Sequence, residues 1–497
     1  MENRKICAER NEMGMLFMGV DAGTQGVRCI IANETGDLIA AKSAAFESLN
    51  IAQTPRWCEQ SPIIWAQAAE EAVTGCIAQL TAKGLSARGI RAIAIDGTSG
   101  TIVPLDAAFR PLCNGIMYND PRAKGEAAIV HAAMGAHERK LGLWFGASFS
   151  LARILWFLRN RPDIYEKTRV FAHQADYIAG LLTGEYCITD DSNALKTGFD
   201  PIAKRWPKEI ANLGIDMGKL PVAVRSGEAF ARVNAEAAAR FGLCEGTPVV
   251  GGATDGTASA LAAGAVREGS WASIIGTTLV LKGVTRELIL DPTGSSYSHR
   301  LPGGEWLLGG AGNVGGRCLT LAANGRGYDE INARAEALIP TGARCYPLVG
   351  KGERFPFVDP DFEGFYRGDI LGDRLYPALM EGIGFVERLA FERMQALGCA
   401  VGDTICVSGG VCRSDVWLKI RASILNRRLA VPKVAEAAMG AALLAAVGET
   451  GSIASAAESM IQFERAVEPD AELARRYGEI YSQFLRELAH LQSGGDR

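Results

Sequence analysis

Histidine is scarce in this chain: five in 497 residues, with no His-x-His pair. None of the twelve cysteines stands in a Cys-x-x-Cys pair, and several, such as Cys29, Cys76 and Cys406, lie within apolar runs. That pattern suits reduced, buried thiols better than disulfides or a zinc site. No basic run stands out and the net charge is −4, so the electrostatic footprint of a nucleic-acid binder is missing. No apolar run reaches the ~20 residues needed to span a bilayer. The charged segment 1–15 lacks the apolar core of a secretory signal, and no G-x-x-x-x-G-K-[ST] phosphate loop occurs. Together these absences predict a soluble, cytoplasmic protein that acts on a small molecule, with neither nucleic acid nor membrane as partner; a homodimer is an allowed assembly.

What is present is ample core material, 48% hydrophobic over a length that exceeds one ordinary core, so two domains are expected. The stretch Leu16 to Ile31 organises the first. Two apolar runs flank a turn carrying Asp21, Gly23, Thr24 and Gly26, which reads as a β-hairpin whose backbone amides can cradle an anion. A carboxylate at the strand end can hold a hydrated divalent cation against the same phosphate, and Arg28 adds a positive charge. An ordinary glycine hairpin with a solvent-facing Asp is the alternative.

About 250 residues later the device recurs. Ser270 to Lys282 is again strand, Gly276-Thr277-Thr278 turn, strand, which suggests a duplicated unit presenting two phosphate hairpins across a cleft. Between them, the β-branched run at 90–95 ends in Asp96-Gly97-Thr98-Ser99-Gly100-Thr101, and strand carboxyl ends are where ligands bind in such folds. Tyr118-Asn119-Asp120 offers an aromatic face beside polar groups, suited to a polyhydroxylated ligand or to a helix cap. Pro248 to Gly264 reads as strand, glycine-rich turn and helix with Asp255 at the junction; capping would explain that carboxylate, but glycines 251, 252 and 256 clear space around it. A G-x-G-x-x-G at 310–315 matches a dinucleotide fingerprint but lacks the surrounding βαβ pattern. Strand, Ser408-Gly409-Gly410 and helix form a place where a flat purine can slide on bare backbone. The small-residue helix at 437–446 is suited to wall an adenine pocket, and the segment from about 468 reads as a charged peripheral helix.

The order of Asp21-Ala22-Gly23-Thr24, Trp57-x-Glu59-Gln60, Tyr118-Asn119-Asp120, Thr254-Asp255-Gly256, Gly276-Thr277-Thr278, Gly352-Glu353-Arg354-x-Pro356-x-x-Asp359-Pro360, Ser408-Gly409-Gly410 and Met439-Gly440-Ala441-Ala442 resembles the FGGY carbohydrate kinases. The resemblance implies an α/β fold of two duplicated actin/hexokinase-like (ribonuclease H-like) ATPase domains around a central cleft. The expected division is an N-terminal kinase domain at 15–262, a C-terminal one at 263–450, and a helical extension at 451–497. It implies ATP and Mg²⁺ as cofactors. Asp255 then falls at the catalytic base and beside the metal, and Asp21 at the residue that holds Mg²⁺ through water. Gly23, Thr24, Gln25 and Arg28 fall at the first phosphate loop and Gly276, Thr277 and Thr278 at the second, while Gly409, Gly410 and Arg413 fall at the adenosine site. Ser99, Gly100, Tyr118 and Asp120, with Asp255, fall at the sugar. Phosphoryl transfer agrees with this set, since it needs positioning, charge neutralisation and one carboxylate for the nucleophile.

Ser99-Gly100 stands where glycerol kinases carry an Arg-Glu pair and many xylulokinases a Met-His pair. Together with Asp96 to Thr101 and Tyr118 to Asp120 it is similar to the D-ribulokinase, xylulokinase-like branch. The expected acceptor is a ketopentose, D-ribulose first, with xylulose, another ketose or a polyol such as erythritol as alternatives. An actin-like nucleotide switch without a sugar is the reading from another class.

Overall fold

The computed structural model describes residues 14–46 and 57–494; nearly all of the charged segment 1–15 falls outside them. The chain opens with β1 (Leu16–Ala22), β2 (Gly26–Asn33) and β3 (Leu38–Ala45), then α1 (Pro62–Ala82) and β4 (Ile90–Gly97). After β5 (Ile102–Leu105) come α2 (Ser150–Asn160), β6 (Val170–His173), α3 (Gln174–Thr183) and α4 (Asp191–Ala194). β7 (Ala229–Arg232), β8 (Pro248–Thr254) and α5 (Asp255–Ala262) complete this stretch. There follow β9 (Trp271–Ile275), β10 (Leu279–Thr285), β11 (Ser296–Arg300), β12 (Trp306–Ala311), α6 (Leu375–Ala396), β13 (Thr404–Ser408), α7 (Asp415–Leu425) and β14 (Arg428–Pro432). The chain ends through α8 (Ala437–Thr450), β15 (Phe463–Val467) and α9 (Ala471–Gln492).

Two compact units result. The first comprises residues 1–262, 299–305 and 436–461, the second 263–298, 306–435 and 462–497. The first sheet runs β7-β8-β4-β1-β2-β3 and the second β11-β12-β10-β9-β13-β14-β15. Apart from the additional edge strand β11 of the second sheet, their pairing repeats strand for strand. β1 and β9 each form an antiparallel hairpin with the next strand and a parallel pair on the other side, with β4 and β13 respectively. An antiparallel edge strand, β7 or β15, closes the far side of each. The duplication expected from the two glycine turns is therefore a property of the whole sheet.

β1 reads LFMGVDA and is buried on both faces apart from Asp21. An apolar run without alternation forms such a strand when both faces are covered. One cover is α8, whose residues 437–446 are all buried. Glycine sets the approach: a Cβ at Gly19 would lie 1.9 Å from the Ala438 oxygen, and one at Gly440 would lie 1.9 Å from the Ala258 oxygen on α5. Gly440→Ala must therefore push backbone apart, and about 1–3 kcal/mol of destabilisation is expected, read as a lowered urea midpoint.

This placement corrects the sequence reading in two respects. α8 packs on β1 and α5 in the first unit, not in the second domain, whose expected bounds 263–450 included it. The terminal segment is helical over Ala471–Gln492, as expected, but 451–497 is not helical throughout, since residues 463–467 form an edge strand of the second sheet. Helix α9 buries Tyr477, Tyr481, Phe484 and Leu488, with the Phe484 ring 5.6 Å from that of Phe385 on α6.

The interface of α9 with α6 holds a titrating group. Glu381 accepts from Thr341 N at 2.9 Å, from the Tyr477 hydroxyl at 3.1 Å and from the Thr341 hydroxyl. Burial nevertheless raises its pKa to about 7, against those hydrogen bonds. Between the ordinary glutamate range and about 7 the folded protein holds a proton that the unfolded chain has released, so stability falls as pH rises through that window. Glu381→Gln keeps the acceptor for Thr341 N and Tyr477 and removes the titration. The variant should match wild type near pH 5 and exceed it near pH 8, by about 1–3 kcal/mol, as measured by denaturant unfolding at the two pH values.

Among the described residues no single helix is long and apolar enough to cross a membrane. The eleven cysteines among them are free.

Candidate functional site

In the first unit three carboxylates come together because three neighbouring strands end in step. Asp21 on β1 is in register with Asp96 on β4. Asp96 and Gly97 are in register with Ala253 and Thr254 on β8, and Asp255 follows as the first residue of α5. The Asp255 Oδ1 accepts from Gly256 N at 2.7 Å. Glycines 251 and 252 serve strand packing rather than clearance around Asp255: Cβ atoms there would lie 2.4 Å from the Arg225 oxygen and 1.7 Å from the Ile95 oxygen.

Crowded charge shows in the acids themselves. Burial raises the pKa of Asp21 to about 6; contact with Asp96 opposes the rise and the Asp255 charge adds to it. Asp96, fully buried, is raised well above the carboxylate range, first by burial and then by Asp21. As two carboxylates, neither Asp21 Oδ1 nor either Asp96 oxygen finds a donor.

The turn after β1 is held from behind. Gly23 N donates to Gly26 O at 3.0 Å and Phe46 N to Gln25 O at 2.8 Å. Gln60 Nε2 donates to Thr24 O at 2.7 Å, while its Oε1 accepts from Trp65 Nε1 at 2.8 Å. Thr24 and Gln25 are left exposed at the tip. Arg28 already has a partner: its Nη1 lies 2.5 Å from Glu436 Oε1, with which any anion bound there would have to compete.

The residues expected at the sugar separate into two groups. Ser99 has a buried Oγ without a protein partner. Gly100 adopts φ 92°, and a Cβ there would lie 2.5 Å from Ser148 O, so both space and backbone demand glycine. Arg153, fully buried, ties this turn to the next one, with Nη1 donating to Gly100 O at 2.7 Å and Nη2 to Tyr118 O at 2.6 Å. Tyr118 itself is 37% exposed. Asp120, by contrast, is saturated. It accepts from Cys58 N at 2.6 Å and from Arg122 N, Nε and Nη2 at 2.9, 2.9 and 2.7 Å. Arg122 in turn pairs with Glu59 at 2.7 Å and lies over the Trp57 ring at 4.1 Å. Burial would raise the Asp120 carboxyl, but Arg122 holds it below the usual range. Asp120 therefore braces the turn from beneath, and no lone pair is left over for a hydroxyl.

Sequence reading missed three groups beside these strand ends: Gln174, Asn193 and Lys196. Lys196 Nζ lies 3.4 Å from Ser99 O, and Asn193 Nδ2 donates to Ala253 O at 3.1 Å. The available signal was a polar residue opening a helix directly after a buried strand, as Gln174 does after β6.

In the second unit the Gly276-Thr277-Thr278 turn stands at the end of β9, with Gly276 N donating to Thr278 O at 3.1 Å. The 310–315 glycine run is its backing and not a dinucleotide fingerprint. β12 is antiparallel to β10, Leu279 N donates to Val314 O at 2.7 Å and Gly316 N to Gly276 O at 2.8 Å. Beside this turn opens a cavity of about 750 Å³, lined among others by Gly276, Thr277, Tyr376, Gly410, Arg413 and Trp417. That volume is in the range of small-molecule and cofactor sites. It gathers part of the second turn expected to hold phosphate, Gly276 and Thr277, and two of the three expected adenosine residues, Gly410 and Arg413, within one unit.

Two family models match the chain, the N-terminal domain of the FGGY family of carbohydrate kinases over residues 16–262 and its C-terminal domain over residues 272–449. The chain belongs to the FGGY family of carbohydrate kinases. This FGGY kinase is 28% identical to a xylulose kinase of Bacillus subtilis, over 95% of the chain and 96% of the relative. It is 26% identical to a gluconokinase of Bacillus licheniformis, over 95% of each. Among solved structures it resembles a xylulose kinase from Brucella ovis with TM-score 0.85 and 28% identity, over 96% of this chain and 99% of that one. One from Rhodospirillum rubrum gives TM-score 0.84 and 26% identity, over 96% and 99%. The duplicated sheets are thus the actin/hexokinase-like fold of sugar kinases.

FGGY kinases use ATP with Mg²⁺. Among the described residues no group of three or more Asp, Glu, His or Cys is arranged to cage an ion. Mg²⁺ asks for less, since it keeps several waters and is held by one or two carboxylates and the nucleotide phosphates. Asp21, with a buried oxygen lacking a donor, fits that demand, and Asp255 adds a second carboxylate.

Proposed function

We propose that this FGGY kinase transfers the γ-phosphoryl group of ATP to the terminal hydroxyl of a ketopentose, D-ribulose giving D-ribulose 5-phosphate. The observation that supports this most is the meeting of Asp255 with Asp21 and Asp96 at the strand ends beside the Ser99-Gly100 turn. Asp255 takes the proton of the attacking hydroxyl. Asp21, with Asp255 near it, would hold Mg²⁺, which when bound neutralises phosphate charge. The amides of the turn at Gly23, Thr24 and Gln25, with Arg28, serve the phosphates, as do Gly276, Thr277 and Thr278. Gly409, Gly410 and Arg413 serve the adenosine. Ser99, Gly100 and Tyr118 face the sugar.

D-xylulose is the second reading, favoured by relatives named xylulose kinase. Relatives named gluconokinase raise an aldonate, but Asp21, Asp96 and Asp255 around the strand ends oppose a substrate carboxylate. Reduced thiols fit a cytoplasmic enzyme. ADP release measured over D-ribulose, D-xylulose, erythritol, glycerol and gluconate tests the assignment. Fastest turnover, as kcat/KM, is expected with D-ribulose. A clear preference for D-xylulose replaces the named substrate, and no sugar-dependent ADP release overturns the whole reading.

A further inference from the structure

We infer that Gln174 is a specificity-determining residue of the acceptor site, its Nε2 donating to an oxygen of the sugar other than the one phosphorylated. Gln174 is the first residue of α3, directly after β6, and is fully buried. Its Oε1 accepts from Thr98 N at 3.2 Å and from Thr98 Oγ1 at 2.5 Å. A backbone N–H can only donate, so the amide orientation is decided: the oxygen faces Thr98 and the NH₂ faces away. That NH₂ has no partner among the described residues, although buried polar groups are ordinarily paired and an unmet donor is costly.

Its surroundings say what it meets. Thr98 lies two residues after Asp96, just past the end of β4, and Gly97 is in register with Thr254 on β8, so Thr98 is about one strand spacing, ~4.8 Å, from the end of the strand that leads into Asp255. A Cβ on Gly97 would touch Ala175 N at 3.1 Å, which sets the start of α3 against the same strand end. Two further unpaired groups stand there: the Ser99 Oγ and the Oδ1 of Asn193, whose Nδ2 holds Ala253 O. One amide donor, one amide acceptor and one hydroxyl, each buried without a protein partner on segments at or packed against these strand ends, match a run of neighbouring hydroxyls and a carbonyl on a neutral sugar. A merely structural glutamine would use both ends of its amide on the protein.

This rests on the sugar-kinase reading with Asp255 as base. The test compares wild type with Gln174→Glu, which keeps the acceptor for Thr98 and turns the donor into an acceptor, and with Gln174→Met, which removes both. Steady-state ADP release is measured with the best ketopentose and its deoxy analogues, and ATP affinity is measured separately. Expected are a rise in acceptor KM of about tenfold or more, an unchanged ATP affinity, and one deoxy analogue that wild type disfavours while the variants do not. Unchanged acceptor KM in both variants, or identical losses across all deoxy analogues in wild type and variant, overturns the inference alone. Absence of any sugar-dependent turnover in wild type overturns the kinase reading along with it.

Discussion

Asp255→Asn is expected to lower kcat at least about a hundredfold while leaving the fold and nucleotide affinity in place. A general base that removes the nucleophile's proton contributes on that scale, and asparagine at the same position cannot accept a proton at neutral pH. The side-chain oxygen that Gly256 N uses at 2.7 Å is retained in asparagine, so the start of α5 keeps its local hydrogen bond. The crowding around Asp21 and Asp96 falls with the loss of one negative charge, so the variant should unfold no earlier than wild type. Coupled ADP release gives kcat, titration calorimetry gives nucleotide affinity, and a urea curve gives stability. Turnover near that of wild type would mean that another group takes the proton.

Arg421→Met should be among the most destabilising single changes, by about 3–5 kcal/mol. Arg421 on α7 and Glu387 on α6 are both fully buried. Nε and Nη2 of Arg421 reach the two Glu387 oxygens at 2.8 and 2.7 Å, and Nη2 reaches Ser273 Oγ on β9 at 3.1 Å. Burial would weaken the guanidinium's hold on its proton, but Glu387 outweighs it and raises its pKa. Removing the cation leaves a carboxylate in the core with only the Ser273 hydroxyl beside it. The double change Glu387→Leu with Arg421→Met removes both charges and should recover most of the loss, which a double-mutant cycle of urea midpoints reads directly. Because Ser273 leads into the turn at 276–278, the single variant should also bind nucleotide more weakly. A double variant whose loss equals the sum of the two single losses would show that the pair is not coupled.

Legibility of the fold followed how local its cause was. The hairpins at 16–31 and 270–282 show in the chain because an apolar run, a glycine turn and a second apolar run lie side by side. Helix α8 misled because small residues announce close packing without naming the surface; only Gly19 and Ala258, hundreds of residues away, show that the surface is in the first unit. β15 was missed because FERAV carries charge on a half-exposed edge, where the partner strand and not the side chains makes the strand. Asp120 looked like a ligand group because its donors, Cys58 N and Arg122, meet it only when the turns are folded. Gln174 was passed over because its one informative partner, Thr98, lies 76 residues earlier.

Residue order alone was enough to show two glycine turns after apolar runs, an acid opening a helix after a buried strand, and the resemblance to a kinase family, since each depends on neighbours within a few positions. Folding decided which unit each segment joined, which acids crowd one another, and which polar groups were already satisfied by the protein. Those outcomes depend on burial and on partners distant in the chain, and hydrogen-bond capacity once used by the protein is no longer available to a substrate.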